Sequence, residues 1–158
     1  MSNQENVFET ILAPMTGTAV AITEVPDPIF IEKILGDGIA IVPTEGKVIS
    51  PVDGTVSKVA ETGHIYAVTS DNGVEVVIHV GLETVALNGK CFQIHVKEGD
   101  KVKAGDLLAD VDLEFIKETG RNSITPIVIG SSLEGKELVC EEGEVQAGKT
   151  VIMEIKQK

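Results

Sequence analysis

Turn-forming residues cut this chain into short pieces. Gly, Pro, Asp and Asn recur at close intervals, and brief apolar runs stand between them. These are Ile11-Leu12-Ala13, Ala19-Val20-Ala21-Ile22, Gly38-Ile39-Ala40-Ile41-Val42, Lys47-Val48-Ile49, Gly54-Thr55-Val56, Leu107-Leu108-Ala109-Asp110-Val111, Ile127-Val128-Ile129 and Thr150 to Ile155. Many short runs with regular turn signals predict an all-β fold, an antiparallel sandwich or barrel. Helices are expected to be short at most. One fits Asp112-Leu113-Glu114-Phe115-Ile116-Lys117-Glu118, with Asp112 as N-cap, Gly120 near its end, and Leu113 and Ile116 facing the core.

At 158 residues the chain is expected to form one domain over residues 8–158, preceded by a flexible tail at residues 1–7. Aromatic residues make up only 3% and there is no Trp, so Val, Ile, Leu and Ala must build the core. The formal net charge of −12 argues against a nucleic-acid or anionic-membrane surface and favours basic partners. No apolar run approaches transmembrane length, the polar start does not read as an export signal, and Cys91 and Cys140 show no metal-ligand spacing. A cytoplasmic protein with reduced thiols is expected.

The stretch from Thr62 to Gly81 reads as two β-branched runs joined by Ser70-Asp71-Asn72-Gly73, a strong hairpin signal. Each run carries a histidine near its outer end. A two-residue loop of Asp71-Asn72 would set His64 directly opposite His79, and one of Asn72-Gly73 would set them diagonally on one face. Only a three-residue loop would put them on opposite faces. The favoured turns therefore predict two imidazoles within reach of each other. Val74, Val76, Ile78 and Val80 alternate as the buried face, which turns His79 the other way together with Glu75 and Val77.

Two short motifs also repeat. Leu12-Ala13-Pro14-Met15-Thr16-Gly17-Thr18 is echoed by Ile49-Ser50-Pro51-Val52-Asp53-Gly54-Thr55, and Val102-Lys103-Ala104-Gly105-Asp106 by Val145-Gln146-Ala147-Gly148-Lys149. Pro-x-x-Gly suits a tight turn. Two copies of each turn suggest an internal duplication, two similar halves packed face to face.

A histidine pair of this kind suits two tasks. It can bind a metal through neutral imidazoles. Alternatively, one ring can act as nucleophile while the other holds an oxyanion. Zinc needs further ligands, and no His-x-His or Cys-x-x-Cys supplies them. Thr62, two residues before His64, shares its face, so its hydroxyl can hydrogen-bond that ring and set its tautomer. His95 has no evident partner and reads as a surface residue. No nucleotide-binding Gly-rich loop and no Gly-x-Ser-x-Gly elbow are present.

An ordered series of motifs carries a resemblance. It runs through Ala13-Pro14-Met15-Thr16-Gly17, Val25-Pro26-Asp27-Pro28-Ile29-Phe30, Gly36-Asp37-Gly38-Ile39-Ala40-Ile41, Ser50-Pro51-Val52-Asp53-Gly54 and Thr62-Gly63-His64. It continues through Ile78-His79-Val80-Gly81-Leu82-Glu83-Thr84-Val85, Lys97-Glu98-Gly99-Asp100 and Thr125-Pro126-Ile127-Val128-Ile129. From about residue 8 to 155 the chain resembles the glucose-type enzyme IIA component of the bacterial sugar phosphotransferase system. Its wording is closer to that of Gram-positive relatives, and it resembles a free-standing IIA protein rather than a domain of a permease.

The resemblance implies a duplicated antiparallel β-sandwich and a phosphotransferase. By it, His79 would take phosphate through Nε2 from the carrier HPr and pass it to a cysteine of the IIB domain of a glucose-type permease. His64 would stabilise the phosphoryl group and Thr62 would orient His64. Partners would dock on a shallow apolar patch with Phe30 and Val77 as its best candidates and Ile78 or Val80 as further ones, and Asp27 and Glu83 would also take part in docking. Regulated metabolic enzymes or transporters are further partners implied. No cofactor is required, although in some relatives the two histidines hold a zinc ion completed by a partner's carboxylate. Ala60 and Val77 stand where some relatives have Phe, and Glu83 where some have Asp; these departures bear on partner preference rather than on chemistry. Two other readings compete. A zinc hydrolase would need the third ligand and the His-x-His pair that are missing here. A lipoyl- or biotinyl-like binding module would need a lysine at a hairpin tip, where this chain has Asp71-Asn72-Gly73.

Overall fold

A computed structural model describes residues 7–158, apart from the side chain of Val85. Of the tail expected over residues 1–7, residues 1–6 lie outside the described residues, and Val7 opens the first strand. The chain begins with β1 (Val7–Leu12), β2 (Gly17–Ala21), β3 (Gly38–Pro43), β4 (Lys47–Ile49) and β5 (Gly54–Val59). The hairpin β6 (Ile65–Ser70) and β7 (Glu75–His79) follows, and then β8 (Phe92–Ile94), β9 (Lys101–Val102) and β10 (Leu107–Val111). The last strands are β11 (Thr125–Ile129), β12 (Lys136–Cys140), β13 (Gly143–Val145) and β14 (Val151–Gln157). Two short helices interrupt them, α1 (Pro28–Ile31) and α2 (Leu113–Glu118).

All strand pairs are antiparallel. The large sheet runs β13-β2-β3-β11-β7-β6-β5-β9, and two smaller sheets run β1-β14-β12 and β4-β10-β8. The result is the antiparallel β-sandwich that the sequence predicts. Its main core is aliphatic, built by Ile11, Met15, Ile39, Ile41, Ile78, Leu108, Ile127 and Ile152 around a single buried tyrosine, Tyr66. Each such side chain contributes about 1.5–3 kcal/mol on burial. Val74, Val76, Ile78 and Val80 all join this core, as their alternation requires. A second cluster, Ile22, Val25, Phe30, Ala40, Leu82, Ile124 and Val128, covers the opposite face of the large sheet, and Val77 packs on it.

The repeated turns are cross-linked as a pair. Leu12 N–H donates to Pro51 O (3.0 Å) and Ile49 N–H to Pro14 O (2.9 Å), so each Pro-x-x-Gly turn holds the strand before the other. Gly148 N–H donates to Ala13 O (2.9 Å), and Gly105 N–H to Ser50 O (2.8 Å). Equivalent side chains then cap the second motif: Ala147 N–H donates to Thr16 Oγ1 (3.0 Å) and Ala104 N–H to Asp53 Oδ1 (2.8 Å). At both Gly17 and Gly54 a Cβ would collide with the neighbouring strand, at the Val42 and Thr69 carbonyls. The duplication is therefore present in the hydrogen bonding as well as in the sequence.

Helix α2 forms where predicted. Asp112 Oδ1 accepts from Phe115 N–H, Ile116 is buried and Leu113 packs beside the core. The other helix, α1, starts on Asp27-Pro28, an N-cap followed by proline at the first helical position. Strand β1 pairs with β14 so that Val7 lies opposite Lys156. At the hairpin tip, Asn72 Nδ2 donates to Phe8 O (3.1 Å) and to Glu9 Oε1 (3.3 Å).

Candidate active site

The hairpin that carries the histidines does not use either favoured loop. Thr69 pairs with Glu75 and Ile65 with His79, which leaves Asp71-Asn72-Gly73 as a three-residue loop between Ser70 and Val74. The buried Ser70 decides this: its Oγ accepts the Val74 N–H at 3.1 Å, and Gly73 closes the loop at φ 89. Strict alternation in this register would send His64 to the face opposite His79. It does not, because alternation holds only within a strand, and His64 precedes β6. It follows Gly63, at φ 76, and only its carbonyl joins the ladder, accepting from Val80 N–H at 2.7 Å. The ring thus lies edge-on to His79, with centroids 5.5 Å apart and planes at 82°. The predicted meeting is correct, and the register offered for it is corrected.

Each imidazole has a partner on Nδ1. His79 Nδ1 lies 2.9 Å from Gly81 O, and a carbonyl only accepts, so Nδ1 carries the proton and Nε2 keeps its lone pair. His64 Nδ1 lies 2.6 Å from Thr62 Oγ1, which fixes that ring's orientation. Burial holds the pKa of His79 below its ordinary value of 6.5, against upward pulls from the Gly81 carbonyl and Asp27. Burial likewise lowers that of His64, helped by His79 and Lys58. Both shifts favour the neutral ring.

Phe30 packs edge-on against His79, with centroids 5.4 Å apart. It is buried, so it packs beneath the His79 ring rather than offering a contact surface. Ile78 and Val80 lie wholly in the main core, which removes them as docking candidates. Asp27 caps α1, its Oδ1 accepting from Ile29 N–H, and Glu83 is exposed. With Ile29, Leu35 and the two histidines they line a shallow pocket of about 170 Å³. An adjoining trough of about 360 Å³ runs over Val77, Ala67 and Val128 between Lys58 and Glu75. A larger groove of about 500 Å³ lies beside α2 and contains no histidine. His95 sits apart from the site and has a partner after all, since its Nε2 lies 2.8 Å from Asp110 Oδ2.

Some parts of the site escape sequence reasoning. The Gly81 carbonyl is a backbone acceptor and leaves no side-chain signal. Ile29, Ile31, Ile34 and Leu35 form an exposed apolar fringe, with Ile34 66% exposed; the first two lie on α1, which Asp27-Pro28 signals, and the last two in the turn after it. Among the described residues no three His, Cys, Asp or Glu side chains converge on a metal position. The histidine pair alone would give zinc two ligands, so the hydrolase reading gains no third.

The chain is similar to known proteins over most of its length. A model of the phosphoenolpyruvate-dependent sugar phosphotransferase system EIIA 1 family matches residues 9–134. The chain is 46% identical over 151 residues to a PTS system glucose-specific EIIA component of Bacillus cereus, covering 95% of this chain and 92% of that one. It is 48% identical over 144 residues to a PTS system glucose-specific EIICBA component of Staphylococcus carnosus, covering 90% of this chain and 21% of that longer one. Glucose permease IIA from Mycoplasma capricolum superposes with a TM-score of 0.86 at 35% identity, covering 93% and 94% of the two chains. The chain belongs to the EIIA 1 family of the phosphoenolpyruvate-dependent sugar phosphotransferase system and is a phosphoryl-transfer component of that system.

Proposed function

We propose that His79 carries the phosphoryl group, taking it from the phosphohistidine of HPr and passing it to the cysteine of a IIB domain in a glucose-type permease. The observation that carries this reading is the Gly81 carbonyl on His79 Nδ1, which leaves a lone pair on Nε2 at neutral pH. That lone pair attacks phosphorus; a new N–P bond forms as the donor's N–P bond breaks, and the donor imidazole leaves with its electrons. Phosphoryl transfer asks mainly for position and charge stabilisation. Thr62 donates to His64 Nδ1 in this scheme, so His64 turns an Nε2–H toward the phosphoryl oxygens. In the second step the IIB thiolate attacks and His79 leaves neutral, its Nδ1 proton unmoved.

Both partners dock on the exposed Ile29 and Leu35 and on the Val77 trough, with Asp27 and Glu83 at the rim and Ile31 and Ile34 exposed nearby in sequence. The net charge of −12 favours partners with basic faces. The exchange belongs to the cytoplasm, and no described helix is long and apolar enough to cross a membrane. The relay takes no resident cofactor. Zinc at His64 and His79 would require a ligand from a regulated partner and would occupy the nucleophile's lone pair.

Phosphate transfer from phosphoenolpyruvate through enzyme I and HPr, read by intact mass, tests the scheme. Wild type should gain one acid-labile phosphate and His79→Ala none. His64→Ala should be labelled and then stall in transfer to IIB. An unlabelled wild type, or a labelled His79→Ala, would overturn it.

A further inference from the structure

The loop that supplies the Gly81 carbonyl is held from outside the site. Gly81 takes φ 75, where a Cβ would meet Thr84 Cγ2 at 2.6 Å and Asn122 O at 3.0 Å. Glu83 takes φ 59 without being glycine. A left-handed backbone costs a non-glycine residue about 1 kcal/mol or more, so surrounding contacts must hold it. Three do so. Buried Thr84 donates its hydroxyl to Val80 O (2.6 Å), and Leu82 N–H donates to Asn122 O (2.9 Å). Arg121 donates Nε–H to Glu83 O at 3.1 Å. Ala86 N–H also donates to the Glu83 carbonyl (3.3 Å) from within the same turn, and the arginine is what ties that carbonyl to the segment after α2. It comes from the segment after α2, at the rim of the larger groove, and is not among the residues lining the histidine pocket.

We propose that Arg121 is a positioning residue for phosphoryl transfer. Its guanidinium holds the Glu83 carbonyl, keeps the loop 81–84 folded against 120–123, and so keeps the Gly81 carbonyl in line with His79 Nδ1–H. The inference rests on the reading of His79 as phosphoryl acceptor. In-line attack needs the Nε2 lone pair aimed at phosphorus, and here both the tautomer and the tilt of the ring depend on one backbone oxygen. Arg121 acts on the reaction through that oxygen.

The test uses the full chain with HPr phosphorylated by phosphoenolpyruvate and enzyme I, comparing wild type, Arg121→Ala and Arg121→Lys. Transfer rates are measured across donor concentrations, and imidazole nitrogen shifts of His79 are read by ¹⁵N NMR. Loss of a partly exposed charged donor should lower the saturating rate about three- to tenfold. The KM for phospho-HPr and the melting temperature should stay unchanged. The His79 nitrogens should move toward the average of the two tautomers, and Arg121→Lys, which keeps a donor, should recover most of the rate. A raised KM with an unchanged saturating rate would make Arg121 a docking contact and overturn the proposal. Unchanged rates and shifts in Arg121→Ala, with wild type still labelled on His79, would bring down the clamp alone. A wild type labelled elsewhere would bring down the reading of His79 and the clamp with it.

Discussion

Removing the Tyr66 hydroxyl should make this protein more stable. Tyr66 is fully buried in the main core, and its Oη is the one buried side-chain polar atom among the described residues without a hydrogen-bond partner. Burial, reinforced by the neighbouring Cys91, pushes its ionisation well above the ordinary tyrosine value. An orphaned buried hydroxyl costs about 1–3 kcal/mol of desolvation. Tyr66→Phe leaves a void the size of one hydroxyl, worth about 0.3 kcal/mol by the cavity coefficient. The expected net gain is about 1–2 kcal/mol. For a chain of this length each kcal/mol moves the melting temperature by about 2–4 °C. Urea denaturation should show a higher midpoint with an unchanged slope. Phosphoryl transfer should not change, because Tyr66 pairs with Ile78 on the face turned away from His79. A loss of stability, or no change, would refute the reasoning and mean that the hydroxyl is satisfied in solution. Cys91→Ala in the Tyr66→Phe background would then report whether the thiol is the partner.

Three further outcomes are expected. Both site imidazoles titrate below 6.5 in the folded state, so the unfolded chain binds protons first as pH falls. Their contribution to stability should be complete above pH 6.5 and lost as pH drops through the lower folded values. Initial transfer rates should hold level down to 6.5 and fall only below it, and a fall beginning above 6.5 would contradict the burial argument. Leu35→Asp should raise the KM for the phosphorylated carrier about tenfold with the melting temperature unchanged, since Leu35 is 49% exposed and borders both the pocket and the trough. Gly17→Ala and Gly54→Ala should each cost about 1–3 kcal/mol in denaturant titrations, because both force a methyl into a neighbouring carbonyl. Widely unequal costs would count against the equivalence of the two turns.

What the sequence made legible were features that repeat or alternate. Val74, Val76, Ile78 and Val80 announce their face by period alone, and Pro14 and Pro51 announce the duplication by echo. Asp112 announces α2 because a cap is a local event. What it concealed were choices made by single atoms. The Ser70 hydroxyl turns an Asn-Gly hairpin signal into a three-residue loop. Strands β12 and β13 lie at sheet edges, where charged and glycine-rich sequence breaks any apolar alternation. His95 gained its partner through the pairing of β8 with β10, a contact between residues 15 positions apart that no short window shows. Phe30, a docking candidate by resemblance, is buried against the His79 ring, because burial is decided by packing between α1 and the sheet that no short window of sequence shows.

The pairing of the first and last strands has a consequence for how the unit can be carried. Val7 and Lys156 sit side by side, and the adjoining Phe8 and Glu9 touch the hairpin tip at Asn72. The histidines lie at the other end of that hairpin, about 20 Å away along the six residues of β6. A tether joined at either end would therefore leave from the pole opposite the paired imidazoles. Fused behind a membrane partner or diffusing free, the domain would present the same unobstructed face.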